Sequence, residues 1–180
     1  MRRIFFLVPL FVIVVLCVFF VRRLELIGRG HTPNIISSAL INKPAPQFSL
    51  PSIYENKPNV TSAEFMGQVT LVNIFASWCP DCRAEHPMIE KISKTGLKIV
   101  GIDYKDKPEK ARSWLESEGN PYSVIASDSA GRVAIDFGTY GVPESYLIDK
   151  QGLIRYKQIG AFSEQDIETK LLPLVKELSK

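Results

Sequence analysis

Histidine is nearly missing from this 180-residue chain, which has two, and its three cysteines are too few to staple a fold. A structural zinc site needs four ligands. Cys79, Cys82 and His86 supply three candidates, but the other histidine, His31, lies far upstream, so no metal is expected. Haem attachment requires a histidine directly after Cys-X-X-Cys, and Arg83 stands there instead. A basic surface is missing too. Residues 1–30 hold five Arg and one Glu, net +4, so the overall +3 leaves −1 for residues 31–180 and no face for nucleic acid. Internal repeats and low-complexity tracts are also absent.

What the chain does have begins with a run of 18 uncharged residues, Ile4 to Val21, apolar except for Pro9. That is about the minimum for crossing a hydrocarbon core. Arg22-Arg23-Leu24-Glu25-Leu26 follows, not a small-residue cleavage site, so the run reads as an uncleaved anchor. Arginines flank it on both sides and leave its orientation open. Cys17 lies within it and reads as a small apolar residue facing lipid. The expected organisation is a membrane anchor at 1–23 with its span at 4–21, a linker at 24–43 rich in Gly, Pro, Ser and Asn, and a folded domain at 44–180.

Within that domain, Val69–Phe75, Leu97–Tyr104 and Ser145–Ile148 have the length and β-branched content of buried strands. Between the first two, Pro80–Lys94 reads as a helix, with Ala84, Met88, Ile89 and Ile92 at helical spacing and Gly96 as its stop. This predicts parallel strands joined by a right-handed crossover. Further helices are expected over Pro108–Glu118, Gly131–Phe137 and Ser163–Leu178, the last kinked or divided by Pro173. Ile154–Ile159 should pair with Ser145–Ile148 as a hairpin. The fold class is α/β, a central mixed sheet flanked by helices.

Chemistry concentrates at Trp78-Cys79-Pro80-Asp81-Cys82, where the first buried strand turns into a helix. Only a thiolate attacks a disulfide, and a helix N-terminus stabilises one through its unpaired N–H groups and dipole. Cys79 is therefore the expected nucleophile. Cys82, inside the first turn and less accessible, is the expected resolving thiol. Asp81 and Glu85 oppose the helix and raise the thiol pKa values. A less stabilised thiolate makes a better electron donor, so a reductant is expected, with a potential nearer the roughly −200 to −270 mV of glutaredoxins and thioredoxin than the roughly −120 mV of a strong oxidant. Glu85 has two readings: a buried proton acceptor or donor for Cys82, or a solvated carboxylate on the helix face. His86 reads as a partly exposed helix residue.

Trp78 to Cys82 with Glu85 and Pro87, Val100-Gly101-Ile102-Asp103-Tyr104-Lys105-Asp106, Gly119-Asn120-Pro121-Tyr122 and Tyr140-Gly141-Val142-Pro143-Glu144-Ser145-Tyr146-Leu147-Ile148-Asp149 together resemble one family. It is the thioredoxin-like DsbE, or CcmG, family of cytochrome c maturation, and the likeness runs from about residue 44 onward. The resemblance implies a thioredoxin-like fold in the periplasm, with the anchor crossing the bacterial inner membrane once. It implies a redox disulfide Cys79–Cys82 and a cis-Pro143 that leaves the Val142 backbone open to an extended substrate peptide. Trp78 and Tyr140 would line the groove, and Glu144 would join Glu85 in making it acidic. The implied substrates are disulfides of apocytochrome c or of maturation thiol proteins, and the implied electron source is a membrane transporter of the DsbD or CcdA type. No bound cofactor is implied. Two other readings stay open: a reductase of the same fold serving copper-site assembly in an oxidase, and a metallochaperone using Cys79, Cys82 and His86.

Overall fold

The computed structural model describes residues 7–28 and 39–180. The chain divides into two units, 1–37 and 38–180, each described by itself. In the first, α1 spans Leu7–Gly28. The side chains of Phe11 through Val21 described there are about half exposed or more, although nearly all are large and apolar. Residues 24–28, expected in the linker, are helical. Among the described residues no helix is long and apolar enough to cross a membrane. The expected span at 4–21 begins in residues outside the described part.

The second unit is built on a five-stranded sheet of β3 (Thr70–Phe75), β4 (Lys98–Tyr104), β5 (Val124–Asp128), β6 (Glu144–Ile148) and β7 (Ile154–Ile159), in the order β5-β4-β3-β6-β7. β3 runs parallel to β4, and β4 to β5, while β6 lies antiparallel to β3 and to β7. A two-residue pair, β1 (Ser49–Leu50) and β2 (Val60–Thr61), stands apart from this sheet. β3 is central and buried along its whole length, so its apolar side chains serve two cores. Leu71 and Phe75 pack on one side with Ile89, Ile92, Ile99, Trp114 and Leu115; Val72 and Ile74 pack on the other with Val100, Ile102, Phe137 and Tyr146. A fully buried Leu or Ile contributes about 1.5–3 kcal/mol.

Helix α2 (Pro80–Ser93) follows β3, with Cys79 as its N-cap and Pro80 in its first turn, where a missing N–H loses nothing. Lys94 caps its other end and Gly96 leaves it at φ +86°. Ala84, expected on the buried stripe, faces solvent, and Cys82, Glu85, His86, Ile89 and Ile92 form the stripe instead. Helix α3 (Pro108–Glu118) has the expected limits, and α4 (Arg132–Asp136) is the short expected helix. The last helical stretch comprises α5 (Glu164–Asp166), a π-helical segment Ile167–Leu171 and α6 (Leu172–Leu178). The stretch is divided as expected: the wider π turn ends just before Pro173 and places the proline in the first turn of α6, where its missing N–H is tolerated.

Strand β5 was not anticipated. The packed unit also starts ahead of residue 44: Leu40 and Ile41 lie against the core, and the Asn42 N–H donates to Ile154 O at 2.7 Å.

Candidate active site

The turn from β3 into α2 is fixed from several directions. The Cys79 N–H donates to Ala76 O at 3.2 Å, and the Ser77 N–H donates to Asp106 Oδ2 at 2.7 Å. Arg83 Nε donates to Ser77 O at 3.0 Å, and Trp78 Nε1 donates to Lys105 O at 3.1 Å. Trp78 is nevertheless 53% exposed, so one edge of its ring is tethered while the rest meets solvent.

Cys79 and Cys82 are joined as a disulfide, with Cα atoms 5.3 Å apart. The Cys82 N–H donates to Cys79 Sγ at 3.1 Å, which is the helix-terminus contact that steadies a thiolate at Cys79. The two cysteines are equally buried, each 3% exposed, so the expected difference in accessibility between them is absent in the disulfide form. Cys79 is covered because the loop before β6 closes over it, with the Val142 carbonyl oxygen 3.5 Å from Sγ. The Val142–Pro143 bond is cis, Pro143 is buried, and Tyr140 on the same loop is 72% exposed.

Glu85, one turn beyond Cys82, is 2% exposed, which removes the solvated reading. Its Oε1 accepts from the Phe162 N–H at 2.9 Å and its Oε2 from Asn73 Nδ2 at 3.3 Å. Asn73 Nδ2 also donates to Ser145 Oγ at 2.9 Å, and its Oδ1 accepts from the Tyr122 hydroxyl at 2.8 Å. Burial pushes the Glu85 carboxyl up to about 7, against the pull of the Phe162 and Asn73 hydrogen bonds. Tyr122 stacks on Phe75 with centroids 4.8 Å apart, and burial, then Glu85 and Asp103, hold its hydroxyl well above the ordinary range.

Asp103 escaped the sequence reading of the site. It is fully buried in β4 beside Phe75, and neither carboxylate oxygen has a hydrogen-bond partner among the described residues. Burial, and then the Asp106 charge, raise it to about 8. Asn73, Tyr122, Ser145 and Phe162 were also missed as parts of one network.

Three expectations change. His86 is buried, not partly exposed: its ring lies 4.9 Å from that of Trp114 and its Nε2 is 3.1 Å from Gly119 O, which turns it toward α3. Glu144 is 1% exposed and ion-paired to Lys157 at 2.9 Å, so it adds no net acidity to a groove. Asp81 is exposed, where water screens its effect on the thiols.

Residues 40–171 match the family model described as Redoxin. The chain is 41% identical to the thiol:disulfide interchange protein DsbE of Pseudomonas aeruginosa, over 99% of this chain and 96% of that protein. It is 38% identical to the DsbE of Escherichia coli K12, over 100% and 98%. Among solved structures it resembles a thiol:disulfide interchange protein of the thioredoxin family from Chlorobium tepidum, with a TM-score of 0.61 and 27% identity, covering 76% of this chain and 96% of that one.

Proposed function

This chain belongs to the Redoxin family and to the thiol:disulfide interchange proteins named DsbE, and from that premise we propose that it is a membrane-anchored periplasmic reductant. Its substrates are the disulfides of apocytochrome c, or of a thiol partner in cytochrome c maturation. The observation that carries the direction of electron flow is the buried Glu85 carboxyl behind a Cys79–Cys82 pair set at a helix N-terminus. A negative charge held in a poorly solvated place destabilises a thiolate nearby, and a destabilised thiolate gives up its electrons more readily.

The cycle starts from the dithiol. Cys79 thiolate attacks one sulfur of the substrate disulfide, a mixed disulfide forms, and the other substrate sulfur leaves as a thiolate that takes up a proton. Cys82 then loses its proton, for which the Glu85 carboxylate near pH 7 is a suitable acceptor. Its thiolate attacks Cys79 Sγ, and the second substrate sulfur leaves as a thiolate that takes up a proton. The substrate has gained two electrons, and the protein is left with the disulfide seen here. A membrane thiol–disulfide transporter of the DsbD or CcdA type returns two electrons. Residues 4–21 hold the domain at the inner membrane, with the C-terminal domain in the periplasm.

Substrate access runs over the Trp78, Tyr140 and Val142–Pro143 surface. The exposed rings and the Val142 carbonyl beside Cys79 Sγ suit an extended chain laid across the disulfide. The test is Cys82→Ser, which stops the cycle at the mixed disulfide on Cys79. Mass spectrometry of the trapped species should identify an apocytochrome c or a maturation protein. Partners drawn only from elsewhere would remove the cytochrome c assignment.

A further inference from the structure

The loop Gly138 to Pro143 places the Val142 carbonyl beside Cys79 Sγ, yet it contains two glycines and its tyrosine is largely exposed. Backbone bonds hold Thr139 and Pro143, to Ala134 O and from the Gly160 N–H, and the side-chain contacts of the loop gather around one ammonium group. Lys157 in β7, with its side chain 5% exposed, donates from Nζ to Gly138 O at 2.8 Å and pairs with Glu144 Oε2 at 2.9 Å. The same Nζ lies 4.6 Å from the centre of the Tyr140 ring and 5.2 Å from that of Tyr146. Glu144 extends the hold, since its Oε1 accepts from the Tyr140 N–H at 2.9 Å and its Oε2 from the Tyr146 hydroxyl at 2.8 Å. The start of the loop at Gly138, its middle at Tyr140 and the residue that follows it, Glu144, are thus all referred to one charge.

That charge is in an unusual place. β7 is the last strand of the sheet, where lysines ordinarily point to water and guard the edge. Lys157 turns inward and gives up its hydration, which only good partners offset. Guarding the edge does not explain this burial; fixing the loop does.

We infer that Lys157 is a positioning residue for substrate binding, presenting the Tyr140 ring and the Val142 backbone to an extended disulfide peptide. It touches no reacting atom, and the inference rests on the reductase reading above. It separates two kinds of substrate. A small aliphatic disulfide needs only the Cys79 sulfur, whereas a peptide also needs the loop in register.

The test uses the full-length reduced protein in detergent, with 2-hydroxyethyl disulfide and a synthetic peptide closed by one disulfide as probes. Lys157→Met should raise KM for the peptide and shift the ratio of the two rate constants about tenfold against it, the scale of losing one or two hydrogen bonds. Lys157→Arg, which keeps a cation and its donors, should recover most of that loss. Because Lys157→Met leaves Glu144 buried without its partner, the double variant Glu144→Gln/Lys157→Met supplies a version with no unpaired charge, and the same shift is expected in it. Equal losses with both probes, or none with the peptide, overturn the inference and leave the reductase reading intact. Failure of both Met variants to fold cooperatively makes Lys157 a stability residue and also overturns it. A wild type that reduces neither probe overturns both readings.

Discussion

Replacing Asp103 by asparagine keeps the shape of the side chain but removes its titration, and the two proteins should diverge as pH rises. Asp103 is fully buried with neither oxygen hydrogen-bonded among the described residues, and burial followed by the Asp106 charge raises its carboxyl from 3.8 to about 8. In the unfolded chain it titrates near the ordinary value of about 3.9. Between those two values the folded protein binds the extra proton. The stabilisation is therefore full below about pH 4, declines as pH rises, and is spent once pH passes about 8. At about 1.4 kcal/mol for each pH unit crossed, the swing is at most about 6 kcal/mol. Relaxation around the charged form lowers it, and we expect about 2–4 kcal/mol between pH 5 and pH 9. Urea unfolding of the oxidised proteins, followed by tryptophan fluorescence, measures this directly. At about pH 4 the two stabilities should agree within about 1 kcal/mol, and at pH 9 Asp103→Asn should be the more stable. Parallel stabilities across the whole range would refute the claim that burial keeps this carboxyl protonated.

Glu85 should give the oxidation of the dithiol a pH-dependent limb near 7, and Glu85→Gln should erase it; a limb that stays in place belongs to another group. Gly101→Ala should destabilise the fold by about 1–3 kcal/mol, because its Cβ would stand 2.9 Å from Phe75 Cε1 and 3.1 Å from Tyr122 Cδ1. Thermal unfolding reads this, and an unchanged midpoint contradicts it. Ser163→Ala removes the side-chain half of a capping box with Asp166. The loss should be about 1 kcal/mol, and denaturant titration would show it.

The elements legible in the sequence were those with strong local signals. Pro108–Glu118 has a proline at its start, a glycine at its end and an apolar stripe between, and its limits were read correctly. β5 was missed because Val124-Ile125-Ala126 is only three apolar residues before Ser127 and Asp128, and its pairing with β4 is a tertiary fact. The two cysteines announce themselves by spacing. The groups around Glu85 do not: Asn73, Phe162, Tyr122 and Ser145 come from distant parts of the chain and meet only after the sheet closes. Lys157 reads as an ordinary charge on a strand, because nothing local tells which way an edge residue turns. His86 differs from its expected exposure for the same reason, since Trp114 and Gly119, which enclose it, lie within and just past the end of another helix.

The hydrogen bond from Phe162 to Glu85 spans 77 positions of chain. During synthesis the cysteines leave the ribosome long before the amide that restrains this acid, so a half-made polypeptide carries the sulfur pair with a differently tuned neighbour. The raised value of the Glu85 carboxyl is thus a property of the docked domain alone, since both its burial and this bond require the later part of the chain to be in place.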